Sequence, residues 1–234
     1  MTDDKGKLAG QAMSMMDNME YEKAIPLFID ALKVCNNVNH WELHYMLGQC
    51  YRLTGDIQNA CSSLQKAISR QCRLRECFQN GEVHPKQASA VFQAYGIASQ
   101  LNEDYYTALD MLKQAIKLNP YSFSSYNSLG ITYRRQGRLG EAIECYNHAE
   151  NLINEVMTKE SRAKVQELLP GDPTFAMILN NRGLCKLDTE DFEGAKNDFM
   201  LSISETPEGY QYSAPKDNLT QLPQPKKRKW WLGP

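Results

Sequence analysis

Residues 126–149 read YNSLGITYRRQGRLGEAIECYNHA and contain a spacing that recurs along the chain. Gly130 is followed twelve positions later by Ala142, and seven positions after that by Ala149. Five copies of this spacing are present, each opening on a small residue: Ala12, Ala24, Ala31; Gly48, Ala60, Ala67; Gly96, Ala108, Ala115; Gly130, Ala142, Ala149; and Gly183, Ala195, Ser202. Small residues in this arrangement predict pairs of helices whose backbones approach closely, because a side chain on the first helix would collide with the second.

The best copy also carries larger residues at fixed places. Tyr126, Leu129, Gly130 and Tyr133 are followed by Ala142 and Tyr146, and this resembles the tetratricopeptide repeat pattern W-x2-L-G-x2-Y…A-x3-F. The resemblance implies an all-α helical solenoid of about five helix–turn–helix repeats. We place the repeats near residues 5–36, 41–72, 86–120, 123–156 and 174–207, as one array over 1–207.

The period between repeats is longer than the standard 34 residues in two places. Gly48 and Gly96 are 48 residues apart, and Gly130 and Gly183 are 53 apart. We predict that the excess residues prolong the second helix of the second and fourth repeats. Such extensions either alter the pitch of the superhelix or provide a second docking surface.

Residues 208–234 show little periodicity and contain several prolines, so we predict a disordered tail. It carries one basic cluster, Lys226, Lys227, Arg228 and Lys229, which is a candidate nuclear-import signal. The adjacent Trp230 and Trp231 offer a packing or partner contact as the alternative. Because terminal repeats need a polar cap and no helix is recognised after Thr206, an uncapped end that self-associates is also an expectation.

In the family that the chain resembles, the first helices of successive repeats line a concave groove. The alignment places ten residues there as a candidate peptide-binding groove: Tyr45, Gln49, Arg52, Gln93, Gln100, Asn127, Arg134, Arg135, Asn180 and Asn181. Asn and Gln carry both a donor and an acceptor, so they can hold an extended peptide backbone. The arginines would add charge-assisted bonds to acidic side chains or to a terminal carboxylate.

Some members of the family clamp the C-terminal carboxylate of heat-shock chaperones with a Lys and an Asn that flank the glycine of one repeat. The corresponding places hold Tyr45 and Gln49, or Gln93 and Ile97. The resemblance therefore does not extend to this clamp, which weighs against a chaperone-docking role.

Composition and motifs disfavour several classes of partner and of site. The net charge of −2 disfavours nucleic acid and anionic membranes as partners. Seven scattered cysteines without framework spacing, and a polar N-terminus, favour a cytoplasmic protein, with nuclear import as the alternative. His40 and His44 stand four residues apart but lack a third ligand, so we expect no metal. The sequence shows no Gly-rich phosphate loop and no G-x-S-x-G motif, so we also expect no cofactor and no enzyme activity.

These features predict a protein-interaction adaptor or scaffold with a protein or peptide partner. Two alternatives remain open at this point. One is a chaperone-like assembly factor that holds a subunit through its extended helices or open end. The other is a nucleic-acid-associated protein that uses the basic tail.

Overall fold

The computed structural model describes residues 2–34, 40–69, 74, 79–156 and 173–223. Within these ranges the regular structure is helical and contains no strand, which confirms the all-α prediction. The helices are α1 (Thr2–Asp17), α2 (Tyr21–Val34), α3 (Trp41–Leu53), α4 (Ile57–Ile68), α5 (Pro85–Leu101), α6 (Tyr105–Leu118), α7 (Phe123–Arg135), α8 (Leu139–Val156), α9 (Thr174–Asp188), α10 (Phe192–Ser204) and α11 (Ala214–Thr220). None of the described helices is both long and apolar enough to cross a membrane.

Three of the repeat glycines lie where the two helices of a repeat meet. A Cβ atom added to any of them would come within 2.7 Å of a side chain sixteen residues later, which is closer than carbon atoms approach in proteins. The pairs are Gly48 with Leu64, Gly96 with Leu112, and Gly183 with Phe199. The predicted close packing of first and second helices is therefore confirmed at these positions.

The turns between paired helices repeat one capping arrangement. Asp56, Asp104 and Asp191 each stand immediately before a second helix, and each carboxylate accepts a hydrogen bond from a backbone N–H three residues later, at 3.0–3.2 Å. This bond satisfies one of the free N–H groups of the helix N-terminus. The turn acids that the sequence places beside these helices thus act as N-caps.

The two places with excess residues differ from each other, and only the first contradicts the prediction. Helix α4 ends at Ile68, and Ser69 is extended with ψ 158°, so the excess of the second repeat does not prolong α4 and the prediction is wrong there. Helix α8 has 18 residues, whereas α10 has 13. The remainder of the second excess, residues 157–172, lies outside the described residues.

The segment after residue 207 contains structure that the sequence did not predict. Helix α11 spans Ala214–Thr220, and both Pro215 and Asn218 are buried. It packs on α10 and touches α9. The predictions of an unordered segment and an uncapped end are therefore wrong as far as residue 223. The candidate import signal, Lys226 to Lys229, lies outside the described residues.

The chain divides into two compact units, residues 1–132 and 133–234, with the boundary inside α7. The repeat pattern, read as one array over 1–207, gave no sign of this division. In the first unit, the small residues Ala60 and Ala88 and the larger residues Leu64 and Phe92 belong to one buried core. In the second unit, the largest fully buried side chains include Tyr146 and Phe199.

Candidate functional site

The first unit carries a hydrogen-bonded chain of three predicted groove residues on α3. The amide of Gln49 donates to the Tyr45 hydroxyl at 3.2 Å, and the Arg52 Nε donates to the Gln49 Oε1 at 2.9 Å. The three residues follow one another at the helical spacing i, i+4 and i+7, which places them on one face of α3. The guanidinium of Arg52 is therefore held by Gln49, which Tyr45 holds in turn.

Arg52 has no acidic partner in the described part of the chain. No carboxylate there forms an ion pair with its guanidinium, which is partly buried. Because only Nε is used by Gln49, the terminal nitrogens remain in the geometry that binds a carboxylate through two parallel hydrogen bonds. Arg52 is the strongest candidate anchor among the predicted groove residues.

The two glutamines of α5 act differently from the prediction. The Gln93 Nε2 donates to the Ser124 hydroxyl at 2.7 Å, and the Gln100 Nε2 donates to the Thr132 hydroxyl at 2.9 Å. Both partners lie on α7, within the first unit. These bonds join the first helices of neighbouring repeats, so each glutamine uses an amide donor within the chain that the prediction assigned to a peptide.

In the second unit, the predicted groove arginines fall into two classes. Arg134 is paired with Asp188, with its Nε and its terminal nitrogen 3.0 and 2.9 Å from the carboxylate Oδ2. Arg135 is exposed. Pairing within the chain weakens Arg134 as an anchor for an acidic ligand, because binding would have to replace an existing ion pair.

The structure corrects the assignment of Asn180 as a groove residue. Asn180 is buried, and its Oδ1 accepts a hydrogen bond of 2.8 Å from the Asn218 amide of α11. A peptide cannot reach a side chain that the chain itself covers. Asn127 and Asn181, in the first and second units respectively, are partly buried.

A buried charge cluster that the sequence reasoning missed joins three helices of the second unit. Arg182 of α9 donates to both carboxylate oxygens of Asp198 on α10, from Nε at 2.8 Å and from a terminal nitrogen at 2.7 Å. Its other terminal nitrogen donates to Asn147 and Glu150 of α8. Lys186, one turn after Arg182, reaches the Asp198 carboxylate at 2.9 Å.

The electrostatics of this cluster favour the charged state of the arginine. Burial by itself lowers the pKa of Arg182, but its hydrogen bonds to Asp198 and Glu150 outweigh that effect and raise the pKa above its ordinary value. The sequence feature that could have revealed this cluster is the position of Asp198. This residue precedes Phe199, whose side chain packs on Gly183 in the interior of the repeat. A charge at an interior place of the repeat indicates a buried ion pair.

Metal binding and thiol reactivity depend on how the metal-ligating residue types and the cysteines of the described part of the chain are grouped and buried. No group of three or more His, Cys, Asp or Glu there could hold a metal ion. Burial raises the pKa of the Cys50 and Cys185 thiols to about 11, so both are protonated and poorly nucleophilic near neutral pH. The His40–His44 pair has no third ligand in the described structure.

Comparison with known protein families gives two matches, each to a model of the tetratricopeptide repeat. One covers residues 111–144 and the other residues 42–71. The second match contains α3 with Tyr45, Gln49 and Arg52, so the candidate site lies on a recognised repeat.

A curated relative and several solved structures are similar to the chain. The DnaJ homolog subfamily C member 3 of Gallus gallus is 29% identical over 171 residues, which are 70% of this chain and 32% of the relative. The chain thus spans about a third of that relative's length.

Among solved structures, a MamA protein is 20% identical with a TM-score of 0.62, covering 88% of this chain and 93% of its own. A MamA from Desulfovibrio magneticus RS-1 is 17% identical with a TM-score of 0.63, and the match covers 87% of this chain and 95% of the MamA chain. YrrB, described as a TPR protein with an unusual peptide-binding site, is 18% identical with a TM-score of 0.58. The match covers 91% of this chain and 90% of the YrrB chain. At these identities the likeness concerns the fold.

Proposed function

We propose that the chain, which matches the tetratricopeptide repeat at residues 42–71 and 111–144, is a protein-interaction scaffold that binds an extended, acidic peptide segment of a partner protein. The proposed anchor is Arg52, and the binding surface is the face of α3 that carries Tyr45 and Gln49. An acidic side chain or a C-terminal carboxylate of the peptide would bind the Arg52 guanidinium. This is the adaptor hypothesis that the repeat sequence favours.

The observation that carries the proposal is the chain of hydrogen bonds from Tyr45 through Gln49 to Arg52. An arginine held in one orientation loses less conformational freedom when a ligand binds, so more of each hydrogen bond contributes to affinity. A charge-assisted bond of this kind contributes about 1.5–3 kcal/mol.

Selection from a library of displayed random peptides against the full chain tests the proposal. We expect the selected peptides to be enriched in Asp, Glu or a free C-terminal carboxylate. Their affinity for Arg52→Gln, measured by fluorescence polarisation, should fall by about tenfold or more, which is the effect of losing about 1.4 kcal/mol. Gln49→Ala should give a smaller loss, because it releases the guanidinium without removing it.

The matched control is Lys196→Gln, which removes one positive charge from an exposed position on α10. It should leave affinity unchanged, so that a general effect of net charge is separated from the anchor. The proposal fails if the selected peptides are not acidic, or if Arg52→Gln and Lys196→Gln bind them equally well. Circular dichroism of each variant establishes that the helical fold is retained.

The similarity to a DnaJ homologue favours a second candidate, a co-chaperone or assembly-factor function. In this case the chain would hold a non-native protein and not a defined acidic peptide. The test is suppression of aggregation of a heat-denatured client protein by the full chain. Suppression that survives Arg52→Gln would favour this candidate, whereas no suppression at equimolar chain would exclude it.

A cytoplasmic location with import into the nucleus through Lys226, Lys227, Arg228 and Lys229 is also a proposal. It rests on the basic cluster and on the cysteine content of the sequence. Imaging of a fluorescent fusion of the full chain, with and without replacement of the four basic residues by alanine, tests it. Equal distribution of both forms between nucleus and cytoplasm would exclude the import signal.

A further inference from the structure

A cavity in the first unit lies apart from the proposed peptide surface. It has a volume of about 360 Å³, is open to solvent and is lined by residues of α2, α3 and α4. Helix α3 contributes His44, Leu47 and Tyr51, which are spaced i, i+3 and i+7. Because these positions differ from Tyr45, Gln49 and Arg52, α3 lines the cavity with one face and carries the proposed anchor on another.

The wall of the cavity is partly apolar. Ile29 and Leu32 of α2, together with Leu47, supply aliphatic surface, and Tyr51 supplies an aromatic ring. Apolar lining of this kind favours a ligand with a hydrocarbon portion, because such a ligand gains free energy when it leaves water.

The polar lining of the cavity contains groups that can donate hydrogen bonds and no carboxylate. Lys33 and Lys66 bring ammonium groups, Ser62 and Ser63 bring hydroxyls, and His44 brings an imidazole. Lys33 is 3.0 Å from Asp30 in an exposed pair, which water weakens. Lys66 forms no ion pair with any described carboxylate. The cavity is therefore positive and unneutralised on one side.

His44 adds an electrostatic observation. Burial, together with the nearby charges of Lys66 and His40, lowers the pKa of His44, so the site disfavours a further positive charge. A negative group in the cavity would offset the positive charge that Lys66 and His40 place beside this imidazole.

We infer that this cavity binds a small organic anion, a carboxylate joined to a short hydrocarbon portion. The carboxylate lies toward Lys66 and His44, and the hydrocarbon portion packs on Ile29, Leu32 and Leu47. The inference is independent of the proposed peptide surface, since it uses another face of α3 and other charged residues.

Butyrate and butyramide are the probes for the full chain, because they share shape and differ in charge. The chain has four histidines, and the imidazole resonances of His44 can be followed by NMR at constant pH and ionic strength. We expect a saturable shift of His44 with butyrate and much weaker binding of butyramide. Lys66→Gln should weaken butyrate by about tenfold, the loss of one charge-assisted hydrogen bond.

The control variant is Lys23→Gln, on the same helix as Lys33 but paired with Glu20 at 2.7 Å. It should bind butyrate as the unmodified chain does. Equal binding of butyrate and butyramide, or equal binding by the Lys66→Gln and Lys23→Gln variants, would overturn the inference. Inorganic phosphate that saturates His44 as tightly as butyrate would also overturn it, because the hydrocarbon portion would then contribute nothing. Lys66 is exposed, so its replacement does not endanger the fold.

Discussion

The buried charge cluster of the second unit gives the sharpest test of the packing between repeats. The perturbation is Arg182→Met, which keeps an unbranched side chain of similar length but removes the charge and all five N–H donors. Arg182 and Asp198 have side-chain exposures of 9% and 5%. Four hydrogen bonds from the guanidinium to Asp198, Asn147 and Glu150 would be lost.

The magnitude follows from what is left behind. Removing one partner of a buried ion pair costs about 3–5 kcal/mol, since the other charge stays buried without compensation. Asp198 keeps Lys186 at 2.9 Å, and Glu150 is 21% exposed and can be hydrated. We therefore expect the lower end, a loss of about 3 kcal/mol in the free energy of unfolding. The double variant Arg182→Met/Asp198→Leu should recover a large part of this loss, because the stranded carboxylate is then gone.

Urea denaturation followed by far-ultraviolet circular dichroism measures the free energy of unfolding of each variant. Hydrogen exchange with mass spectrometry then locates the change. Peptides from α9 and α10 should lose protection, while peptides from α5 and α6 of the first unit should not. A local measurement is needed because a chain with two compact units need not unfold in a single two-state transition.

The control is Lys33→Met, which breaks an ion pair whose side chains are 71% and 55% exposed. An exposed pair of this kind contributes about 0–1 kcal/mol, so the control should be nearly neutral. If Arg182→Met is as mild as this control, the cluster does not hold the helices of the second unit together and the reasoning is refuted. A double variant no more stable than Arg182→Met would refute the stranded charge as the cause.

Three further outcomes are expected. Gly183→Ala should lower stability by about 1–3 kcal/mol in urea denaturation, because its Cβ would lie 2.6 Å from the Phe199 ring, whereas Gly140→Ala, with nothing within 4 Å, should be neutral or stabilising. Asn218→Ala should remove hydrogen-exchange protection from α11 and cost about 1–3 kcal/mol, since it strands a buried amide oxygen; unchanged protection would contradict this. The pKa of His44 is lowered in the folded state by burial and by nearby positive charge, so the unfolded state takes up a proton first and stability falls as pH drops below about 6.5. Urea midpoints at about pH 5 and about pH 8 should differ less in His44→Phe than in the unmodified chain.

Local regularities predicted the helices. The glycine and alanine spacing specified which helices pair, because close approach excludes a side chain and that exclusion is visible in residue type alone. The same applies to Asp56, Asp104 and Asp191, whose caps depend on neighbours three residues away. Helix α11 was not predicted, because a helix of seven residues has too little periodicity to recognise in the sequence.

The residues of the candidate site were likewise predicted only where local sequence was sufficient. Helical spacing was enough to place Tyr45, Gln49 and Arg52 on one face of α3. It could not show that Gln93 and Gln100 donate to α7, or that Asn218 covers Asn180, because hydrogen-bond partners 31–38 residues away are not a property of local sequence. These contacts decide which predicted residues are open to a ligand.

The sequence by itself determined the all-α repeat architecture, because steric exclusion and helix capping act within about one repeat. Only the tertiary structure decided which charges are free. The sequence alone does not distinguish three arginines that the structure treats differently. Arg52 lacks an acidic partner among the described residues, and Arg134 pairs with Asp188. Arg182 is buried against Asp198 and Glu150. The physical reason is that an electrostatic interaction depends on distance and burial in three dimensions, and neither is encoded in the repeat spacing.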